Sequence, residues 1–152
     1  MDATVLYSET FLAFATYATI AVVKMMLMAP LTAYLRLTRQ VFANMEDTKL
    51  LNPAEDKKLV RVDPDVERVR RCHQNDLENI LPFVVVGLFY ALTEPTPSTA
   101  LFHFRVFVGS RIGHTVAYLL PLPQPCRALC WATGVATTLS MAFRVLGATL
   151  HL

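Results

Sequence analysis

Four apolar stretches divide the chain, and polar segments separate them. The first runs from Phe11 to Leu35 and contains one charged residue, Lys24. A helix of this length can cross a hydrocarbon core of roughly 30 Å with some tilt. The pattern therefore predicts a membrane-spanning first helix over about residues 10–38, followed by a polar loop over about 39–63.

The second helix is predicted over residues 64–92 from a start signal and an apolar continuation. Asp63 precedes Pro64, and an aspartate N-cap followed by proline at the first helical position is typical of a helix start. Pro82 lies inside the same stretch, where a proline predicts a kink.

Two further helices are predicted over residues 98–120 and 126–149, because proline-rich turns precede and separate them. The last of these helices has no charged residue from Ala128 to Phe143. A helix of a soluble bundle would keep a polar face. Residues 1–152 are therefore predicted to form a single all-α domain, an integral membrane four-helix bundle, and a soluble four-helix bundle is the weaker alternative.

Composition supports a membrane protein and argues against two other classes of partner. Of the 152 residues, 54% are hydrophobic and 17% are charged, and the net charge is +2. That charge is too small to indicate nucleic-acid binding. Cys72, Cys126 and Cys130 show no paired spacing of metal ligands, so we expect free thiols and no metal.

Lysines and arginines predict the orientation in the membrane. The loop over residues 93–98 has none, whereas the first loop is rich in them. By the positive-inside rule, the first loop and the turn before Arg127 face the cytosol. The basic residues of the first loop are Arg39, Lys49, Lys57, Lys58 and Arg61.

Polar side chains continue into the second and third apolar stretches, although each ionisable group costs at least ~2.5 kcal/mol to insert. Helical spacing places them on one face of each helix, which indicates a shared hydrophilic pocket. Arginines with one carboxylate suit a small zwitterion such as glutathione, but a cationic stripe could equally bind lipid headgroups. The residues are Arg71, Asn75 and Glu78 on the second helix, and Arg111, His114 and Tyr118 on the third.

Longer motifs resemble the MAPEG family of membrane proteins of eicosanoid and glutathione metabolism. They include FLAFATYATIAVVKMMLM from Phe11, RVRRCHQNDLENILPF from Arg68 and STALFHFRVFVGSRIGHTVAYLLPLPQP from Ser98. The resemblance covers nearly the whole chain apart from residues 49–61. It implies a homotrimer of four-helix subunits in the endoplasmic reticulum membrane, with glutathione bound between subunits near the cytosolic face.

The resemblance also implies residue roles. Arg127 matches the arginine that stabilises the glutathione thiolate, since a nearby cation favours thiolate over thiol. Asp47 matches an aspartate that the family's prostaglandin synthase uses beside the thiol, and Tyr118 is the third catalytic candidate. The positions that match the family's glutathione-binding residues are Arg36, Arg71, His73, Asn75, Glu78, Arg111, His114, Tyr118 and Arg127.

The implied activity is that of a membrane-bound glutathione transferase. It would conjugate glutathione to hydrophobic electrophiles and reduce lipid hydroperoxides as a second activity. Ala128, where the prostaglandin synthase has a serine, favours this activity over the alternative of a glutathione-dependent prostaglandin E synthase. A non-enzymatic lipid-binding membrane protein is the second alternative. The active site would face the cytosol, with the mitochondrial outer membrane as a further possible location.

One departure from the family concerns regulation. Thr48 stands where mammalian transferases of the family carry a sensor cysteine, and Met45 replaces a neighbouring proline. We therefore expect no activation by thiol reagents through this position, and Cys72 is the alternative sensor.

Overall fold

A computed structural model describes residues 8–48 and 59–150, which are mostly helical. Within these ranges the only β pairing is an isolated bridge between Phe42 and Val60. Three lysines of the predicted first loop, Lys49, Lys57 and Lys58, lie outside the described residues. The helices are α1 (Glu9–Met26), α2 (Met28–Arg39), α3 (Met45–Thr48), α4 (Pro64–Leu92), α5 (Pro97–Leu119) and α6 (Cys126–Thr149).

The first apolar stretch forms two helices in succession rather than one. Leu27 separates α1 from α2 but keeps a right-handed helical conformation, with φ −66° and ψ −16°. Its N–H still donates to the carbonyl of Val23 at 3.0 Å. Pro30 follows and has no N–H to offer the carbonyl of Met26, so the hydrogen-bond ladder is interrupted at this turn.

The start of α4 confirms the predicted cap. The Asp63 carboxylate accepts hydrogen bonds from the backbone N–H groups of Asp65 and Val66, at 3.0 and 3.1 Å. These bonds satisfy two of the donors that a helix start leaves without partners. Pro82 lies within α4, which continues past it to Leu92.

Aromatic side chains join α1, α4 and α5 into one apolar core. Phe83 and Phe107 stack with ring centroids 3.7 Å apart and an interplanar angle of 4°. Phe14 packs against Phe104 with centroids 5.7 Å apart. Gly87 lets the Phe14 ring of α1 lie close to α4, because a Cβ at Gly87 would lie 2.8 Å from a ring carbon of Phe14.

Three segments of the described residues are long and apolar enough to cross a membrane: Glu9–Arg39, Pro64–Leu92 and Cys126–Thr149. Helix α5 is not among them because it carries several polar residues. Of these, Arg111, His114 and His103 are buried against the other helices. Four spanning helices therefore stay a prediction.

Candidate functional site

A buried polar network joins α1, α4 and α5. Arg111 Nη2 donates to Asn75 Oδ1 at 2.8 Å and to Asp76 Oδ1 at 2.9 Å, and it lies 3.2 Å from His114 Nδ1. The Lys24 ammonium forms an ion pair with the other oxygen of Asp76. The network brings the predicted residues Asn75, Arg111 and His114 together.

The charges of this network are shielded from solvent and are only partly balanced. The side chains of Arg111 and Asp76 are 1% and 0% exposed. Lys24 and Arg111 share the single carboxylate of Asp76, so one positive charge is left over. Within the described residues, Arg111 Nε and Nη1 have no hydrogen-bond partner. A buried cation with free donors favours a nearby anion or carbonyl oxygen.

The exposed face of α4 carries the other predicted residues of that helix. Arg71 and Glu78 are exposed, and Asn75 between them is half-buried. Gln74 Nε2 donates to Glu78 Oε1 at 3.2 Å. These side chains lie on the surface of the chain, where a ligand or a second copy can contact them. A shallow cavity of about 250 Å³ on this face is lined by Glu67, Arg70, Arg71, His73, Gln74 and Leu77.

Arg127 at the start of α6 lies over the ring of Tyr118 on α5. Its guanidinium carbon is 4.7 Å from the ring centroid, within the range of a cation–π contact. The Tyr118 ring in turn packs against His114, with centroids 5.4 Å apart. Arg127 Nε is buried without a hydrogen-bond partner among the described residues. The contact holds a guanidinium in place while leaving one of its donors free.

Comparison with known proteins assigns the chain to a protein family. The model of the MAPEG family matches residues 14–147. The chain belongs to the MAPEG family. It is 58% identical over 149 residues to "Microsomal glutathione S-transferase 1" of Homo sapiens, covering 97% of this chain and 96% of the relative.

Two further relatives place the chain within the MAPEG family. It is 56% identical over 146 residues to "Microsomal glutathione S-transferase 1" of Mus musculus, covering 95% of this chain and 94% of the relative. "Prostaglandin E synthase" of Homo sapiens is 39% identical over 142 residues, covering 93% and 91%. The predicted family is confirmed, and the prostaglandin synthase is the more distant relative.

Contacts run from Asn75 through Arg111, His114 and Tyr118 to Arg127 of this MAPEG chain, and they include neither Arg36 nor Asp47. Arg36 of α2 is half-buried and lines a cavity of about 270 Å³ together with Arg61 and Asp63. Asp47 of α3 accepts a hydrogen bond from Asn44 Nδ2 at 3.3 Å. Within residues 8–48 and 59–150, no ion pair joins Asp47 to Arg127. A role for Asp47 beside the thiol therefore stays a prediction.

Asp76 is the member of the buried network that the motif analysis did not single out. A signal for it was present in the sequence, because Asp76 follows Val69 and Cys72 at helical spacing and both of those residues are apolar. An acid on the buried face of an apolar helix requires a partner. Lys24, the one charged residue of the first apolar stretch, is such a partner through its ion pair to Asp76.

Two further polar residues of α5 have partners outside the buried network. His103 belongs to a separate cluster, where its Nδ1 lies 2.8 Å from the carbonyl of Thr99 and its Nε2 lies 3.1 Å from Ser140 Oγ. Arg105 Nε donates to the Tyr17 hydroxyl at 3.0 Å.

Proposed function

We propose that this MAPEG chain is a membrane-bound glutathione transferase that conjugates the glutathione thiolate to hydrophobic electrophiles. The observation that carries the proposal is the position of the Arg127 guanidinium over the Tyr118 ring, with a buried Nε that has no hydrogen-bond partner among the described residues. The identity of 58% to a protein named as a glutathione transferase supports the same function.

The face of α4 supplies groups that suit the ends of glutathione. Arg71 can bind a carboxylate through two parallel N–H bonds, and Glu78 can accept from the ammonium. His73 lies in the same shallow cavity as Arg71. The remaining proposed contacts are Arg36, Asn75, Arg111, His114, Tyr118 and Arg127.

Arg127 acts on the sulfur in this mechanism. Its positive charge stabilises the thiolate, and the thiol proton leaves to water. The thiolate then attacks an electrophilic carbon of a substrate dissolved in the membrane. A carbon–sulfur bond forms as the leaving group departs with its electron pair. Asp47 and Tyr118 are proposed to contact the reacting sulfur.

A second activity of the same thiolate is the reduction of lipid hydroperoxides. The thiolate attacks one peroxide oxygen, the O–O bond breaks and the lipid alcohol leaves. A second glutathione then reacts with the oxidised sulfur to give glutathione disulfide and water. The chain therefore needs a thiolate site and no metal for either reaction.

We further propose that the protein is a homotrimer of four-helix subunits in the endoplasmic reticulum membrane, with the site facing the cytosol. Arg71 and Glu78 are exposed on the single chain although α4 is apolar enough to span a membrane. Charged groups in a membrane face a bundle interior or a wet cavity rather than lipid. A neighbouring subunit would provide that cover.

Two alternatives to the transferase predict different experimental results. A glutathione-dependent prostaglandin E synthase would isomerise an endoperoxide without consuming glutathione, and Ala128 argues against it because the synthase has a serine there. A lipid-binding protein would neither stabilise the glutathione thiolate nor convert a substrate to a product. The mitochondrial outer membrane stays the alternative location.

The test is to mix purified, detergent-solubilised protein with glutathione and follow thiolate absorbance in the ultraviolet, with S-methyl glutathione as control. We expect a thiolate signal at neutral pH and a thioether product once a nitro-activated aryl chloride is added. Isomerisation of an endoperoxide with no conjugate formed would support the synthase instead. Absence of both the signal and glutathione binding would support the lipid-binding alternative.

A further inference from the structure

The buried network is connected to the exposed face of α4 through the side chain of Asn75. Arg111 Nη2 donates to Asn75 Oδ1 at 2.8 Å. A guanidinium has donors and no acceptor, so the oxygen of the Asn75 amide must face Arg111. The amide nitrogen then points away from Arg111. Asn75 is half-buried and lies on the same helical face as Arg71 and Glu78.

Asp76 determines where the Arg111 guanidinium lies. It accepts from the same Nη2 at 2.9 Å, and both side chains are almost entirely shielded from solvent. The ammonium of Lys24 pairs with the second oxygen of Asp76. The Asp76 carboxylate is therefore held between two cations on two other helices. A bond between charged groups at this depth fixes the geometry more firmly than a neutral bond would.

We propose that Asp76 and Arg111 are positioning residues of the glutathione site. They hold the Asn75 amide so that Nδ2 donates to a carboxylate oxygen of the bound tripeptide. The inference rests on the proposed function, and it replaces the direct contact of Arg111 with glutathione by an indirect one through Asn75. Arg111 acts through Asn75 from beneath the site, and Lys24 balances the charge of Asp76.

The first test is the double variant Lys24→Met/Asp76→Asn. It keeps the net charge of the network, because one cation and the carboxylate are removed together. We expect a thermal unfolding midpoint close to wild type. The KM for glutathione should rise about tenfold, the effect of losing a hydrogen bond to a charged group. The KM for the electrophile should not change. A wild-type KM for glutathione would overturn the proposal and leave Asp76 a structural residue.

The second test separates an action through Asn75 from direct contact, and it does not depend on the folding of the double variant. Arg111→Met leaves Lys24 and Asp76 as a neutral pair. We expect this substitution to raise the KM for glutathione in the wild-type background and to have no further effect in an Asn75→Ala background. Additive effects of Arg111→Met and Asn75→Ala would mean that Arg111 contacts glutathione itself, which would overturn the proposal.

His103→Leu is the matched control. It also removes a buried polar side chain from α5, but roughly 12 Å along the helix from Arg111. The KM for glutathione should stay at the wild-type value even if the unfolding midpoint falls. A rise equal to that of Arg111→Met would mean that loss of any buried polar side chain on α5 disturbs the site, and it would overturn the proposal.

Calorimetric titration with glutathione keeps the two proposals distinguishable. If wild-type protein binds glutathione without conjugating it, the proposed function fails, and the same variants are then compared by their dissociation constants. If wild-type protein conjugates glutathione and the variants bind it normally, only the positioning proposal fails. If wild-type protein does not bind glutathione at all, both proposals fall.

Discussion

Arg127 is the residue on which the proposed chemistry depends. Stabilising a thiolate requires the guanidinium to be held in a fixed position and to keep a free N–H donor. Contact with the Tyr118 ring at 4.7 Å provides the first. The Nε, which has no partner within the described part of the chain, provides the second. The ring stabilises the cation without occupying its N–H groups, so the donors stay available to a sulfur anion.

Arg127→Ala should abolish most conjugation while the protein stays folded and still binds glutathione. Loss of one preorganised group that stabilises developing or resident negative charge lowers kcat by about 10²–10³-fold. Steady-state conjugation and thiolate absorbance measure the effect. Arg144→Ala, an exposed arginine further along α6, is the control. Near-normal turnover in Arg127→Ala would remove Arg127 from the mechanism.

Cys72 is a poor candidate for a sensor thiol. It is fully buried, and its Sγ lies 3.7 Å from Thr115 Oγ1. Cys126 and Cys130 are half-buried. A reactive sensor thiol has to be accessible.

N-ethylmaleimide should therefore leave Cys72 unmodified in the folded protein and should not raise activity strongly. Peptide mass spectrometry after labelling, together with conjugation assays, measures both effects. Cys72→Ser should respond to the reagent in the same way as wild type. A large activation that disappears in Cys72→Ser would show that this cysteine is the sensor.

At the scale of the elements, the contact between α1 and α4 depends on the absence of a side chain at Gly87. A Cβ there would lie 2.8 Å from Phe14 Cε2. The Phe14 ring also packs against Phe83 and Phe104, so it has little room to move. The aromatic core therefore requires glycine at this position, although alanine is the better helix former.

Gly87→Ala should destabilise the protein by about 1–3 kcal/mol through overpacking. Gly109→Ala is the matched control, because a Cβ at Gly109 has no neighbouring atom within 4 Å. That control should be neutral or stabilising by up to about 1 kcal/mol. Unfolding midpoints in detergent compare the two variants. Equal midpoints for Gly87→Ala and Gly109→Ala would contradict the close packing.

The cap of α4 adds an acid-sensitive contribution to stability. Hydrogen bonds from the backbone N–H groups of Val66 and Asp65, with help from Arg39, lower the pKa of Asp63. The folded protein therefore favours the carboxylate. The stabilisation is present above the ordinary carboxyl pKa of about 3.9 and is lost as the pH falls through the lower pKa of the folded state.

Asp63→Asn should remove this part of the pH dependence, since asparagine caps a helix without titrating. The unfolding midpoint of wild type and variant should be followed from about neutral pH to about pH 3. The difference between them should shrink as Asp63 becomes protonated. A constant difference across that range would mean that the cap does not titrate.

For the whole molecule, the predicted site residues fall into separate groups on the single chain. Contacts run from Asn75 through Arg111, His114 and Tyr118 to Arg127 within a single chain. Arg36 lies outside this series, in the cavity with Arg61 and Asp63. If Arg36 reaches the same glutathione, it does so from a neighbouring subunit.

Coexpression of Arg36→Ala and Arg127→Ala subunits should then restore activity that neither variant has alone. In a closed ring of three subunits, each mixed oligomer keeps both arginines in about a third of its sites. Separate affinity tags on the two chains isolate the mixed oligomers, and their conjugation rate is compared with wild type. Mixed oligomers as inactive as the single variants would place both arginines in a site built from one chain.

The sequence by itself determined the helical, membrane-embedded character of the chain and its family. The length of the apolar stretches and the helix start at Asp63–Pro64 depend on residues that are close together in the chain. Both can therefore be recognised without knowing which helices pack together. Spacing also grouped Asn75 with Arg71 and Glu78 on one face of α4. The sequence analysis did not predict that the first apolar stretch divides into two helices at Leu27. It also did not predict that α5 would fall outside the segments apolar enough to cross a membrane.

Only the tertiary structure decided which polar groups meet. Helical spacing gives the face on which a side chain lies but not the helix that covers that face. For this reason the sequence analysis missed Asp76, whose partners Lys24 and Arg111 lie on two other helices. The pairing of Asp76 with Lys24 and Arg111 joins three segments that are distant in the chain. It exists only because packing of the aromatic core brings those segments together.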